Sequence, residues 1–361
     1  MRKARFFKAP DHEARALFAR SSTVHLAGQG DAGPIGRTVH GVVCDGALYF
    51  HTAAVGEKQG LVGREVVIWS DETVATVPSY FLDPVLACPA TTLYRSAMVR
   101  GTLEAVDDLG EKARALMALM ARLQPEGGYA PITADDPRYH KAVASIGVLK
   151  VSLDAAVAKH KLAQNRTPDE RARLVASLWA RGAPGDDAAI EAIRGANAAV
   201  TVPAVLASGE GYSLHARLPS TALDGAVALL RDAYWHTAST PEGIAAMHRE
   251  AAAWVGACDA EGRLIASARV VSDRVRNAWL YDVVVAEAWR GRGLGRRVVA
   301  LALDHGAVRG VERVSLGTRD AHGLYEKFGF VRAVDTPLAN RLMTRIQRSE
   351  PLSASARRPG A

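Results

Sequence analysis

Apolar residues recur along this chain with two different periods, and the change of period divides it. In the first hundred residues, short β-branched or aromatic runs stand between turn residues. TVHGVVC (38–44), ALYFHTA (47–53), EVVIWS (65–70) and SAMVRGTLEAV (96–106) each predict a strand. Asp45-Gly46 between the first two is a hairpin signal. Residues 1–104 therefore read as mostly β. Residues 105–124, rich in Ala, Leu, Met, Glu and Lys at helical spacing, predict a helix. Within 143–157, SIGVLKVSL adds a strand.

From Thr167 the pattern is different. Thr167, Pro168 and Glu170 form a capping-box arrangement that opens a helix running to about Ala180. After the break RGAPGDD, Asp186 or Asp187 starts another helix through Ala196. TVPAVLASGEGY (201–212) reads as an extended linker. Beyond it helices and strands alternate. TALDGAVALLRDAYW (221–235) and PEGIAAMHREAAA (241–253) are helical, 254–273 is a strand, turn and strand, and WLYDVVVAEAW (279–289) is a strand. GLGRRVVALALDHGAV (293–308) is a helix, VERVSLGT (311–318) a strand, DAHGLYEKF (320–328) a helix and RLMTRIQ (341–347) a last strand. This order predicts an α/β sheet. The polar end, 348–361, reads as a disordered tail. The two halves are chemically unlike, so a fusion is expected rather than a duplication.

Composition narrows the classes. At roughly 150 residues per domain, 361 residues fit two domains. A hydrophobic share of 48% supplies sizeable cores and excludes collagen, wholesale disorder and a disulfide miniprotein. No apolar run approaches the roughly 18–20 residues of a membrane span, and charges interrupt the basic start before a signal-peptide core forms. Cys44, Cys88 and Cys258 are far apart and make no C-x-x-C, so a reduced, cytoplasmic compartment and no metal centre are expected. The net charge of +7 suits an anionic cofactor or a solvated surface. Without a basic run interleaved with aromatics, nucleic acid is disfavoured as a partner.

The sharpest chemistry lies in YDVVVAEAWRGRGLGRRVVALAL (281–303). Here a strand leads through Gly291, Gly293 and Gly295 into a helix whose first N–H groups, with Arg290, Arg292, Arg296 and Arg297 nearby, favour an anion. Alone, such a turn reads almost as well as a tight connection. Arg290-x-x-Gly293-x-Gly295, followed in order by TRDAHGLYEKFGF (318–330), resembles the paired signatures of the Gcn5-related N-acetyltransferases (GNAT) over about residues 205–347. The resemblance implies that the backbone of Val283, Val284 and Val285 pairs with the pantetheine arm of acetyl-CoA. It also implies that the amides of Arg290, Gly291, Arg292, Gly293, Leu294, Gly295 and Arg296 hold the pyrophosphate, and that Tyr325 protonates the departing thiolate. Thr318 stands where the family often has Asn. The alternative reading of Tyr325 is an amphipathic core tyrosine, and within the full motif the catalytic role is favoured. Asp282, a carboxylate in an apolar strand, either positions or deprotonates the amine or makes a structural hydrogen bond to a neighbouring loop. His305 and His322 read as helix-end or surface histidines.

In the first half, Thr52, Gly56 and Lys58 follow a strand and could bind a phosphate or simply form a solvated loop. The arrangement RTVHGVVCDGALYFHTAAVGEK (37–58) resembles pyridoxamine-phosphate-oxidase-like split barrels that bind FMN, with Arg37, Thr52 and Lys58 at the phosphate positions. TTLYRSAMVRGTLEAV (91–106) is similar to the nitroimidazole-reductase-like branch, which places Ser96 and His51 near the flavin. KHKLAQNRTPDERARLVASL (159–178) resembles the end of related FMN-binding proteins, some described as negative regulators of transcription, through Lys161, Gln164 and Asn165. The likeness spans about residues 5–198. Gly56-Glu57 replaces the Ser-Arg frequent in relatives. Some members of that superfamily bind haem or a deazaflavin instead, with His25, His40, His51 or His140 as possible ligands here. Such barrels usually form homodimers.

The expected architecture is therefore two domains: a mostly-β split barrel with added helices over 1–200, then an α/β GNAT fold with a mixed central sheet over 201–347. The expected function is acetyl-CoA-dependent N-acetylation of a small amine, fused to a flavin-binding, oxidoreductase-like domain. The alternatives are a flavin- or haem-dependent oxidoreductase with an auxiliary GNAT domain, and a ligand-sensing regulator.

Overall fold

A computed structural model describes residues 4–53, 55–236 and 239–335. The strand expected at 341–347 and the tail 348–361 lie outside the described residues. The chain divides into two compact units, Met1–Val314 and Ser315–Ala361.

The first unit opens with α1 (Ala4–Phe7) and α2 (Asp11–Arg20), followed by β1 (Val24–Gly30), β2 (Gly33–Val39), β3 (Val42–Cys44), β4 (Ala47–Thr52), β5 (Glu65–Val77), β6 (Thr91–Thr102) and β7 (Glu104–Ala105). Two helices, α3 (Leu109–Leu123) and α4 (Pro137–Ser145), precede β8 (Gly147–Ser152) and β9 (Val157–Lys161). The strands form two sheets, β2-β1-β5-β6-β9 and β3-β4-β8-β7. Leu26, Ile68 and Val99 from one sheet and Leu48, Phe50, Leu149 and Val151 from the other share a core with Leu17 and Phe18 of α2. This is the β-rich barrel that the alternating pattern predicts.

Three local differences have physical causes. The run 38–44 is not one strand but two: β2 ends at Val39 in one sheet and β3 begins at Val42 in the other. Gly41 makes the crossing possible, because a Cβ there would meet Leu48 Cδ1 at 3.0 Å and Val24 Cγ2 at 3.2 Å. Strand β1 is hidden in the sequence by Gly28 and Gly30, yet Gly28 is small for a reason: its Cβ would meet Leu61 Cδ2 at 2.9 Å. The helix expected from 105 starts at Leu109, where the Asp108 carboxylate accepts the Glu111 amide at 2.7 Å.

The helical extension forms as its caps dictate. In α5 (Pro168–Arg181) both arms of the capping box are present: Glu170 N–H donates to Thr167 Oγ1 at 3.2 Å, and Thr167 N–H to Glu170 Oε2 at 2.8 Å. Gly182, left-handed at φ 59°, ends it, and α6 (Asp186–Ala196) follows.

The remaining elements are β10 (Tyr212–His215), α7 (Leu223–Leu230), α8 (Pro241–Arg249), β11 (Ala253–Asp259), β12 (Leu264–Ser272), β13 (Asn277–Val285), α9 (Leu294–Asp304) and β14 (Arg313–Ser315). They form the mixed sheet β10-β11-β12-β13-β14. Its edge strand β10 lies at the end of the stretch expected to be a linker. The helix expected over 221–235 stops at Leu230, and the following loop turns Trp235 and His236 toward β13. In the second unit, α10 (His322–Glu326) is the helix of the described part. Among the described residues, no helix is long and apolar enough to cross a membrane.

A polar seam joins α5 and α6 to the mixed-sheet domain. Trp179 Nε1 donates to Asp304 Oδ2 at 2.7 Å. Buried Asp187 lies 3.4 Å from His305 Nε2 and 3.3 Å from Arg217 Nη1. Glu191 accepts the Ala216 amide at 2.8 Å and lies 3.1 Å from His215 Nδ1. The backbones of Gly182 and Gly306 touch so closely that a Cβ on Gly182 would sit 2.5 Å from Gly306 Cα.

Candidate functional site

The site is built on β13. Its ladder with β12 pairs Arg269 with Tyr281 and Ser267 with Val284, so Asp282 and Val283 together oppose Ala268. This is a β-bulge, and it puts Asp282 at φ 54°, a left-handed conformation that few side chains adopt. The bulge turns a buried carboxylate into a cluster of donors. Asp282 Oδ2 accepts Arg269 Nε–H at 2.7 Å, while Oδ1 accepts Trp235 Nε1–H at 3.1 Å and lies 2.9 Å from His236 Nε2. His248 Nε2 stands 4.0 Å from Oδ2. Burial pushes the Asp282 carboxyl up, but the Arg269 guanidinium and His236 more than reverse this and hold it below the usual carboxylate range.

Beyond the bulge, Val283, Val284 and Val285 are half-buried. Strand β14 has three residues against nine in β13, and Arg313 N–H donates to the carbonyl of Arg276, the residue just before β13. Among the described residues, the short ladder with β14 thus ends before Val283–Val285.

The chain then enters the glycine turn. Gly291 and Gly293 have φ 77° and 78°, so both need the left-handed region. No side chain caps α9. The Arg290 amide is committed to the Glu287 carbonyl at 3.1 Å, whereas the amides from Gly291 to Arg296 have no acceptor among the described residues. Arg290, Arg292 and Arg296 are exposed around this end; Arg290 Nε donates to the Val285 carbonyl at 3.1 Å, and Arg292 lies 5.1 Å over the Trp289 ring. Uncapped amides, a helix dipole and three guanidinium groups make an anion cradle.

Tyr325 belongs to the second unit, where it is buried in α10 with its ring edge-on to Phe330 at 5.9 Å. Thr318 Oγ1 accepts the Ala321 amide at 3.0 Å and so shapes the turn into α10.

Sequence reasoning missed the partners of Asp282. A signal existed: Arg269 is a lone cation in the apolar run LIASARVVS, as Asp282 is a lone anion in NAWLYDVVV, and two such charges in neighbouring buried strands must meet. Ser239, whose Oγ lies 3.0 Å from His236 Nδ1, gave no signal.

In the barrel the expected flavin residues are spread over β2, β4, β6 and the turn after β4. Thr52 is buried at the end of β4, His51 precedes it on the exposed side, and Ser96 pairs with Asp71 and Lys159 across β6. Partial desolvation, with His40 and Lys58 nearby, holds His51 below the ordinary histidine value. Lys58 lies in the 3-10 turn Glu57–Leu61. Arg37 is engaged by the carboxylate of Glu57, the residue beside Lys58. Both side chains of this pair are about half exposed, so the carboxylate competes with an incoming phosphate for the guanidinium. Lys161 and Asn165 line a cavity of about 220 Å³, whereas Gln164 folds back, accepting Leu162 N–H at 2.7 Å and donating to the His160 carbonyl at 2.8 Å. Of the other histidines, His25 stacks on Trp69 at 5.1 Å. Among the described residues, no group of three or more His, Cys, Asp or Glu side chains is placed to hold a metal ion.

Comparison with known proteins follows the same division. Residues 10–160 match the model of the pyridoxamine 5'-phosphate oxidase family, and residues 223–330 match that of the acetyltransferase (GNAT) family. A curated relative, glucosamine 6-phosphate N-acetyltransferase 1 from Oryza sativa subsp. japonica, is 38% identical over 97 residues, which is 25% of this chain and 59% of that protein. The chain thus spans about three fifths of that relative's length. Among solved structures, a protein assigned to the GNAT family from Xanthomonas campestris pv. campestris is 28% identical, covering 38% of this chain and 93% of that one with a TM-score of 0.33. The flavocytochrome Anf3 from Azotobacter vinelandii is 16% identical, covering 44% of this chain and 71% of that one with a TM-score of 0.38. The chain carries a pyridoxamine-5'-phosphate-oxidase-like domain followed by a GNAT acetyltransferase domain.

Proposed function

We propose that the protein transfers the acetyl group of acetyl-CoA to the amine of a small molecule. The observation that carries this reading is the run from the end of β13 through two left-handed glycines into the uncapped N-terminus of α9. Such a run offers backbone to an amide-bearing arm and N–H groups to a pyrophosphate in one continuous stretch. Val283–Val285 would pair with the pantetheine, and Gly291–Arg296 would hold the pyrophosphate. Attack of a neutral amine on the thioester carbon forms the C–N bond; a β13 amide steadies the oxyanion; the C–S bond then breaks, and Tyr325 donates its proton to the leaving thiolate. Asp282, saturated by Arg269, Trp235 and His236, acts as a positioning residue that fixes the bulge.

The likeness to a glucosamine 6-phosphate acetyltransferase makes a sugar amine the first acceptor to try. We divide the chain at about residue 200 and take the barrel as a homodimerising module. The Arg37–Glu57 pair favours a barrel that is auxiliary to the transferase over a second, flavin-dependent enzyme. The test is titration with acetyl-CoA, then thiol release with amines including glucosamine 6-phosphate. Saturable binding with amine-dependent release supports the reading, and absence of acetyl-CoA binding overturns it. Spectra after incubation with FMN decide the barrel: a bound flavin band supports oxidoreductase chemistry, and a colourless protein supports the auxiliary role.

A further inference from the structure

Between α7 and α8, the loop that leaves Leu230 brings His236 against Asp282 and places Ser239 on its other side. His236 is buried, and both of its ring nitrogens are engaged: Nε2 lies 2.9 Å from Asp282 Oδ1 and Nδ1 lies 3.0 Å from Ser239 Oγ. An ionised carboxylate can only accept, so Nε2 carries a hydrogen, and in the neutral form of the ring Nδ1 presents its lone pair to the serine. Ser239 therefore donates its O–H to His236. Its side chain is exposed, while the groups behind it are not. The polarity is serine to histidine to aspartate, with the outer hydroxyl facing solvent.

The position of this chain of bonds gives it a use. Asp282 immediately precedes Val283, the first residue of the β13 end to which we assign the acyl donor. Two exposed aromatic rings flank the same charge pair: Trp235 donates to Asp282, and the Tyr281 ring lies 4.8 Å from the Arg269 guanidinium. The groups facing the relay from the packed elements are Asp282 of β13, Arg269 of β12 and His248 of α8. Arg269 fixes the carboxylate's second oxygen and leaves the first for His236 and Trp235.

We propose that Ser239 and His236 form the proton exit for the acceptor amine, with Asp282 as the positioning residue that sets the imidazole tautomer. This rests on the acetyltransferase reading above. An ammonium arriving at Ser239 gives a proton to Oγ as the hydroxyl proton passes to His236 Nδ1. The freed nitrogen lone pair forms the C–N bond, the C–S bond breaks as Tyr325 protonates the thiolate, and the second proton from nitrogen restores the tyrosine. His236 then returns its proton to solvent through Ser239. The net products are the amide, the CoA thiol and one proton.

The test uses the full chain with three probes, glucosamine 6-phosphate, tyramine and spermidine, alongside acetyl-CoA. For an amine that the wild type acetylates, Ser239→Ala lowers kcat at least tenfold with acetyl-CoA affinity unchanged, and His236→Gln also removes the fall of kcat/KM toward acid pH. Variants that bind acetyl-CoA normally, turn over within twofold of wild type and keep its pH profile overturn the relay alone. Wild type that fails to bind acetyl-CoA overturns the transferase reading and the relay with it. Should the wild type bind acetyl-CoA but acetylate none of the three, long-range 1H–15N NMR of the labelled histidines decides. A neutral His236 protonated at Nε2 whose signals shift in Ser239→Ala supports the proposal, and protonation at Nδ1 overturns it.

Discussion

Arg269 donates Nε–H to Asp282 Oδ2 at 2.7 Å, and both side chains are buried within the sheet. Removing one member leaves the other charged and unpaired in a medium that solvates it poorly. Asp282→Ala should therefore cost about 3–5 kcal/mol, read as a fall in the denaturant midpoint. Its pKa is depressed in the folded state, so the stabilisation is complete above the unfolded carboxylate value and is lost as pH falls through the folded one. The variant should accordingly show a flatter acid-unfolding curve than wild type. Equal acid sensitivity in the two proteins would contradict the pairing.

The seam predicts a second, opposite pH dependence. Burial lowers the His215 pKa, but hydrogen bonds to Cys258 and Glu191 more than compensate and hold it up at about 9. A raised histidine stabilises fully below its unfolded value, near 6.5, and that contribution disappears as pH rises through 9. The loss is at most about 3 kcal/mol over this window. Thermal melts of wild type should decline from neutral to alkaline pH more steeply than those of His215→Gln.

Gly182 tests the seam by shape alone. Its φ of 59° makes any Cβ costly by about 1–2 kcal/mol, and that atom would also press on Gly306 at 2.5 Å. Gly182→Ala should lower stability by more than the backbone penalty. Gly306→Ala, at a carbon 2.3 Å from Gly182 Cα, should do the same without a left-handed residue. Wild-type melting of both variants would show that the contact has room to relax.

How much of this was legible in the sequence depended on whether the signal was local. The capping box at Thr167, the Asp186 start of α6 and the glycine turn at 291–295 are read from neighbours a few residues apart, and they stand where expected. Strand β1 was not legible because Gly28 answers to Leu61, a residue distant in sequence, and Gly30 to Ile35 of the strand that pairs with it. The helix expected to 235 was overridden in the same way: Trp235 and His236 gain hydrogen bonds to Asp282, 47 and 46 residues away. Asp282 was recognised as anomalous, but its partners come from three elements, and only the pairing of β12 with β13 brings Arg269 into range.

In the barrel, Glu57→Gln should release Arg37 without removing either cation from the loop. Both groups of this pair are about half exposed, so the gain is modest, about three- to tenfold tighter binding of FMN. Fluorescence quenching of added FMN measures it directly. Unchanged affinity would mean that Arg37 does not meet the phosphate, and Lys58→Ala then reports whether any loop cation does.

The seam between α6 and the mixed sheet bears on where the chain can be cut. Glu191, from the helical extension, holds the Ala216 amide and faces His215, while Asp187 holds Arg217, all beside the strand that edges the acetyltransferase sheet. A transferase severed at residue 200 would lose the acids that neutralise its own edge. The smallest piece able to stand apart would begin before Pro168, taking both helices with it. The joint is thus packed into the mixed-sheet domain rather than strung as a tether before it.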